Sequence, residues 1–446
     1  MTEPSVAVPR RWTLPVATSA PFLAMTNFSS PMVTLPQIAR SLEAGPTGPV
    51  WILGSIALGL SSSLLVAGGL ADDYGRRRVL VIGSGVLAAS SVLAAASPGV
   101  VTFVLARLVQ GGASAAMLAA GLGIVGHAFP TGAARVRATG RYGAMIGLGT
   151  MAGPLLSGLV ATAVSWRAVY WLTAAAALAL TVVSARALDE SRAPAPRRPD
   201  LPGVVLLTLG LAALVAGVTE GRLGWSRPVV VWAFWAAAVL IAAFVAVELR
   251  RREPLLDMAL FRRPLFLVAT GGAVIVGTAV VGLLSYLPTL LQASYGLTAL
   301  DTALLFAVWA GMSFVTSLLS ARVRLRTAER FALGLALSAT GYLCLLSLAT
   351  SLSLPLLVAG LAVSGTGSGL INSSISHLAI ESVPAHRVSM GSGANNTARY
   401  IGSSLGAAGM AAAVAAFGLS QGTTVAVTAA ILLTGLTAPA VLLVRA

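Results

Sequence analysis

The chain has 446 residues, of which 57% are hydrophobic and 10% charged, with a mean hydropathy of +0.89. Water-soluble domains carry about 25% charged residues, so this composition excludes a soluble globular protein and leaves a polytopic helical membrane protein built from apolar stretches of about 20 residues. The formal charge of +15 resides in short breaks between apolar runs; it marks one face of a membrane and excludes a nucleic-acid surface.

Every one of the 29 basic side chains is Arg, which points to a GC-rich coding sequence and a bacterial source. Cys344 is the single cysteine, so disulfides within the chain, thiol chemistry and zinc sites are not expected. No metal cluster, nucleophile–base pair or nucleotide loop is present, and neither enzymatic activity nor a cofactor is expected. The GTGSG run at Gly365 lies inside an apolar helix with no strand before it and is no phosphate loop.

Taken in order, the first apolar run follows Arg10 and Arg11, is longer than a signal-peptide core and contains Pro15 and Pro21, so it reads as a retained span. Apolar runs predict spans over 14–38, 49–70, 79–97, 100–128, 137–163 and 166–187. The polar connector ALDESRAPAPRRPD from Ala187 follows, then spans over 202–221 and 229–249, the basic loop ELRRREPLLDMALFRR, and six more spans over 264–291, 299–321, 330–349, 353–380, 388–417 and 423–444. The total is fourteen. With the N-terminus inside, 23 arginines fall in cytoplasmic segments, four (Arg40, Arg167, Arg222, Arg227) fall outside, and Arg107 and Arg399 lie within spans. Both termini are therefore expected in the cytoplasm, with the chain in the cell membrane and the bilayer as its solvent.

The two ends of the chain echo one another. Leu35-Pro36 recurs as Leu287-Pro288, Arg78 as Arg330, Gly111 as Gly365, Pro130 as Pro384 and Ile146-Gly147 as Ile401-Gly402, at offsets of 252 to 255 residues. Five such pairs in one order predict two six-helix halves, 1–187 and 264–446, with a linker and two inserted helices over 188–263, a transporter architecture.

The turn between the second and third spans, GGLADDYGRRRVL from Gly68, packs acids, glycine and arginines into a tight cytoplasmic loop. Gly75 fits a sharp reversal, and Asp72 is placed to hold a helix terminus or an arginine. Gly69, Asp72, Gly75, Arg76 and Arg77 thus form a candidate latch, with a solvated loop obeying the positive-inside rule as the plainer reading.

At this point the sequence resembles the major facilitator superfamily, in particular its fourteen-helix drug:proton antiporter branch of EmrB/QacA type. Gly69-Leu70-Ala71-Asp72 with Gly75-Arg76-Arg77 matches the family's loop between helices 2 and 3, with Asp73 where a basic residue is usual. Arg107, Gln110, Gly111 and Gly112 match the helix 4 motif, whose arginine the family uses in proton coupling. Gly149, Gly153, Pro154 and Gly158 match the helix 5 antiporter motif, with Ser157 where glycine is usual; Trp166-Arg167 matches the start of helix 6, and SVPAHRVSMGSGANNTARYIGSSLGAAG the helix 13 region. The resemblance implies an exporter of small amphiphilic compounds working by alternating access on the proton gradient; a monomer is expected. The family's usual helix 1 aspartate falls at Asn27, which cannot titrate. That substitution leaves open an exporter of one metabolite, or a facilitator, without proton coupling. A transport-inactive membrane sensor or scaffold is the reading from another class.

Physics supplies roles beside the resemblance. Gly149 and Gly153 are spaced at i, i+4, so one face of the fifth span is nearly bare backbone and admits a close partner. Pro154 bends that helix, and Gly402 and Gly406 repeat the device in the thirteenth. These are candidate gate helices, with plain packing as the alternative. Arginines at bilayer depth cost about 2.5 to 3.5 kcal/mol on insertion scales, so Arg107 and Arg399 are expected to face an interior cavity, with Asn395 and Asn396 completing a polar stripe beside Arg399. His377 lies about a turn from the inner end of its span and is a titratable candidate. Two embedded cations without an embedded acid suit neutral or anionic amphiphiles at least as well as cationic ones. Met25, Asn27, Phe28, Gln110, Tyr286, Trp309 and Met312 are cavity-wall candidates, since methionine and aromatic surfaces adapt to apolar ligands.

Overall fold

Apolar runs this long have one stable form in a bilayer, since only a helix satisfies its own backbone there. The computed structural model describes residues 11–129, 132–191, 200–221, 223–251, 254, 256, 258–349, 353–383 and 388–443. Among the described residues every regular element is helical.

The first predicted span is two helices, α1 (Thr13–Ser29) and α2 (Pro31–Ser41), because Pro31 has no N–H to continue the ladder. Next come α3 (Gly48–Tyr74), α4 (Arg76–Ala95), α5 (Val100–Ala128), α6 (Gly132–Ala163) and α7 (Trp166–Ala187). The inserted pair is α8 (Leu201–Gly221) and α9 (Pro228–Arg250), joined through Gly224 at φ +136. The ninth predicted span is α10 (Pro264–Ile275), a π turn over Val276–Gly282 and α11 (Leu283–Tyr295). Then follow α12 (Ala299–Leu319), α13 (Thr327–Leu345), α14 (Leu354–Glu381) and α15 (Val388–Leu443). The last element is two helices run together: Gly418 at φ +77 breaks it where the thirteenth and fourteenth predicted spans part. Ten of these segments are long and apolar enough to cross a membrane.

Packing repeats in the two ends of the chain. In the first, α3 and α4 lie on α5, α1 lies on α6, and α4 lies on α7. In the second, α12 and α13 lie on α14, the π turn lies on α15, and α13 also packs on α15. The echo reaches single residues. A Cβ on Gly153 would sit 2.6 Å from the Thr26 carbonyl oxygen, and one on Gly406 would strike that of Thr278, 252 residues further on. Gly111 presses the α3 backbone at Ile56 and Gly365 the α12 backbone at Trp309 in the same manner. The ladder gap at Pro31 and the π turn ending at Gly282 fall at nearly corresponding places, so the backbone hydrogen-bond ladder of each opening span is interrupted there, although Ser30 itself keeps α dihedrals.

The two sets meet along a seam where α3 lies on α15 and α6 lies on α12. The pair α8–α9 lies outside it, with α8 packed against α3 and α15 and Trp232 and Trp235 of α9 exposed on the outer side. A cavity of about 360 Å³ opens on this outer surface between α3, α4, α5 and α8, at Gly59, Gly112 and Thr208, away from the seam.

Candidate functional site

The loop that opens α4 is built around Gly75, at φ +114 and buried. Such a φ favours glycine, and space enforces the choice: a Cβ there would lie 2.5 Å from Cδ of Glu190. The Glu190 carboxylate takes the helix N-terminus, accepting from the backbone N–H groups of Arg77 (3.1 Å) and Arg78 (3.2 Å). Arg76 N donates to the Ser191 carbonyl at 3.0 Å, and the Arg77 guanidinium donates to the Ala185 carbonyl. Three of the four orphan donors of α4 are thus satisfied by the segment leaving α7. The candidate latch at Arg76 and Arg77 therefore closes on Glu190, which the sequence did not single out. Gly69 is exposed with open space around it, and the side chain of Asp72 lies outside the described residues.

Arg167, one of the few arginines predicted on the outer face, donates to the Ala95 and Ser97 carbonyls at 2.7 and 3.0 Å and stacks on Trp166. It closes the C-terminal end of α4, where a cation is favoured.

Arg107 departs from the expected cavity position. It is wholly buried, and its guanidinium donates to the Asn27 carbonyl (2.9 Å), Asn27 Oδ1 (3.2 Å), Gln110 Oε1 (2.9 Å) and the Phe28 carbonyl (3.3 Å). Tyr170 offers its ring at 6.0 Å. Asn27 and Gln110 are themselves fully buried, tied together at 3.3 Å, and Gln110 continues to Ser91 at 3.2 Å. Expected on a cavity wall, both instead form a neutral amide cage around the cation, and Pro31, which has no N–H, leaves the Asn27 carbonyl four residues back free to accept from it.

Arg399 is half-buried on α15. It donates to Asn396 Oδ1 at 3.1 Å and to Asn372 Oδ1 of α14 at 3.2 Å, and its guanidinium lies 5.3 Å from the Tyr400 ring. Asn395 departs from the expected stripe: it is buried and donates to the Ala269 carbonyl of α10 at 2.9 Å. Asn372 takes the place predicted for it. A lone asparagine in an apolar helix, pointing to a functional surface at bilayer depth, was the available signal. Across the seam, the Tyr400 hydroxyl meets Met25 Sδ at 3.8 Å and its ring packs edge-on against Phe28 at 5.6 Å. Of the cavity candidates, Met25 and Phe28 thus reach the seam. Trp309 packs on Phe306 in the core, Tyr286 is half-buried beside Val50 and Ala408, and Met312 and His377 are exposed.

The glycine faces meet partners other than those expected. Gly149 and Gly153 press on α1 at Phe22 and Thr26, and Gly402 and Gly406 press on Val274 and Thr278, so each bare face serves packing within its own end of the chain. Pro154 is buried within α6. Contact across the seam from α6 runs instead through Gly147 against Phe314 and Gly158 against Ala299 and Ala303. Further ties join Thr397 to the Ser61 carbonyl (3.0 Å), Ser404 to the Gly54 carbonyl (3.2 Å) and Gln292 to the Val33 carbonyl (2.7 Å). Gln292 was also missed, since one amide near a helix end carries no pattern.

This geometry, paired helical sets about one seam, accords with a profile match: residues 17–407 match the Major Facilitator Superfamily. The chain belongs to the major facilitator superfamily. It is thus a multi-pass membrane transporter of small molecules, a family whose members are generally not enzymes. Among relatives in this superfamily, the multidrug resistance protein Stp of Mycobacterium tuberculosis is 32% identical over 388 residues, covering 86% of this chain and 72% of that protein. The probable actinorhodin transporter of Streptomyces coelicolor is 30% identical, covering 90% and 72%. The puromycin resistance protein pur8 of Streptomyces alboniger is 30% identical, covering 90% and 81%. The crystal structure of the human organic anion transporter MFSD10 superposes with a TM-score of 0.65 at 18% identity, over 98% of this chain and all of that one; at that identity the likeness is one of fold.

Proposed function

We propose that this protein exports small amphiphilic compounds across the cell membrane by alternating access, as a monomer, with both termini in the cytoplasm. The carrying observation is the seam: α3 on α15 and α6 on α12 are equivalent contacts under the internal repeat, the arrangement two six-helix halves need to rock about a central site. The halves are 1–187 and 264–446, with 188–263 supplying the linker and the inserted pair. Fourteen spans follow when α15 is divided at Gly418 and α1–α2, α3 and α13 are added to the remaining long apolar segments. Relatives named for drug and antibiotic resistance support the substrate class.

Proton exchange is the family's expected energy source, and here it needs a titrating group outside the first span. The fourteen acidic residues leave the middle of every helix free of acid, and Asn27 is engaged with Arg107. This favours, as second reading, a facilitator or an exporter of one metabolite without proton coupling. The test is substrate-induced proton movement in inverted vesicles, followed with a pH-sensitive dye over cationic, neutral and anionic amphiphiles. Proton release that depends on substrate supports antiport, with His377 and Asp301 the next positions to alter; substrate flux without proton movement selects the second reading.

A further inference from the structure

Two cations are embedded in the spans, and the structure gives them different surroundings. Arg107 is closed on all sides by Asn27, Gln110 and backbone carbonyls. Arg399 is half-buried, held only by neutral amide oxygens of Asn372 and Asn396 among its described partners. No described carboxylate lies within ion-pair distance of it. A guanidinium held this way retains an unmet demand for an anion, because a carboxylate or sulfonate makes charge-assisted bonds stronger than those from an amide oxygen.

The ring of the next residue, Tyr400, lies 5.3 Å from the Arg399 guanidinium and packs on Met25 and Phe28 of α1, in the other half of the molecule. Tyr400, Phe28 and Met25 are buried against one another here, so a ligand reaches them as the seam opens, and it then meets a fixed cation on one side and aromatic and thioether surface on the other. Resting on the exporter reading, we propose that Arg399, with Asn372 and Asn396, is the anion-recognition point of the substrate site, and that the preferred substrate is an aromatic amphiphile bearing one acidic group. Its acid engages Arg399 and its ring system packs against Tyr400, Phe28 and Met25. Such a ligand touches both halves at once and so responds to their relative movement. Cationic amphiphiles of equal size are disfavoured by the same charge.

The experiment uses a matched probe pair, anilinonaphthalene sulfonate and phenylnaphthylamine, which share an aromatic body and differ in the sulfonate, with ethidium as the cation. Binding to the full-length protein in nanodiscs is read by energy transfer from tryptophan, with empty nanodiscs subtracted. The sulfonate is expected to bind about tenfold or more tighter than the neutral probe. Arg399→Gln is expected to abolish that preference, bringing the sulfonate's affinity down to that of the neutral probe on the same variant, and Arg399→Lys to retain part of it. Size-exclusion profile and thermal melt establish that each variant is folded. Equal affinities in the wild type, tighter ethidium binding, or a preference that survives Arg399→Gln overturns the inference. Export of the same probes from vesicles separates the two claims. If ethidium or the neutral probe is exported and the sulfonate is not, the exporter reading stands and the anion site falls; Arg399-dependent sulfonate binding with no probe exported has the reverse meaning.

Discussion

Replacing Glu190 with alanine tests whether the segment leaving α7 holds the cytoplasmic loop. The carboxylate accepts from Arg77 N at 3.1 Å, Arg78 N at 3.2 Å and its neighbour Ser191 N at 3.1 Å. Loss of a helix N-cap costs about 0.5 to 2 kcal/mol, and loss of a negative charge at the helix N-terminus about 0.3 to 1 kcal/mol. The ion pair with Arg78, 3.6 Å long and with the arginine side chain 67% exposed, adds at most a few tenths. These contributions overlap, and the expected cost is about 1 to 2 kcal/mol, carried mainly by the backbone bonds. The assay is unfolding of the purified protein in mixed micelles by SDS titration, at low and high salt. Glu190→Gln retains an acceptor oxygen and is expected to lose about half as much. An unchanged midpoint for Glu190→Ala, or a cost that vanishes at high salt, refutes the reasoning: the first outcome removes the cap, and the second reduces Glu190 to a surface ion pair.

Gly153→Ala brings a methyl onto Ser29 Oγ and 2.6 Å from the Thr26 carbonyl oxygen, so it is expected to cost about 1 to 3 kcal/mol in the same titration. Gly143→Ala on the same helix enters open space and gains up to about 1 kcal/mol of helix propensity; equal behaviour of the two removes the close approach of α1 and α6. Asp200→Ala takes away the bond from Gly203 N (3.0 Å) and the ion pair with Arg251 (3.2 Å) at the foot of the inserted pair. Its expected cost is about 1 to 2 kcal/mol, and a neutral result shows that α8 is held by packing alone.

Hydropathy marked the helices because a bilayer tolerates few other arrangements, and the offset of about 250 residues between Leu35-Pro36 and Leu287-Pro288 is of the same size as the separation of the glycine contacts at Thr26 and Thr278. Partners were harder to read. The i, i+4 glycines of α6 announce a close approach without saying to what, and the answer, α1, depends on how the whole bundle closes. Glu190 is 113 residues from the Arg77 amide it caps, and no local spacing carries that information. Arg107 was legible as an embedded cation, but its closure depended on a partner helix 80 residues away, where Pro31 has no N–H and leaves the Asn27 carbonyl free to accept from it.

That cage also sets the sharpest test of coupling. Asn27 Oδ1 lies 3.2 Å from the Arg107 guanidinium, so Asn27→Asp places a carboxylate where an amide oxygen already accepts a bond, with no change in volume. The other carboxylate oxygen replaces the donor of the 3.3 Å bond from Asn27 Nδ2 to Gln110 Oε1 and so faces an acceptor, a repulsion that the 2.9 Å bond from Arg107 to the same Gln110 oxygen offsets only in part. A buried cation deprived of its counter-charge costs about 3 to 5 kcal/mol where such pairs have been broken. Supplying the missing charge recovers part of that, offset by desolvation of the carboxylate, for a net gain of about 1 to 2 kcal/mol in the SDS titration. The same variant puts a titratable group on the first span at the family's usual position, and inverted vesicles carrying it are expected to show substrate-induced proton release at least equal to the wild type. A destabilised variant refutes the view that Arg107 lacks a counter-charge. A stabilised variant with no added proton movement shows that an acid at this position is insufficient for coupling, and directs the search for the titrating group to α12 and α14.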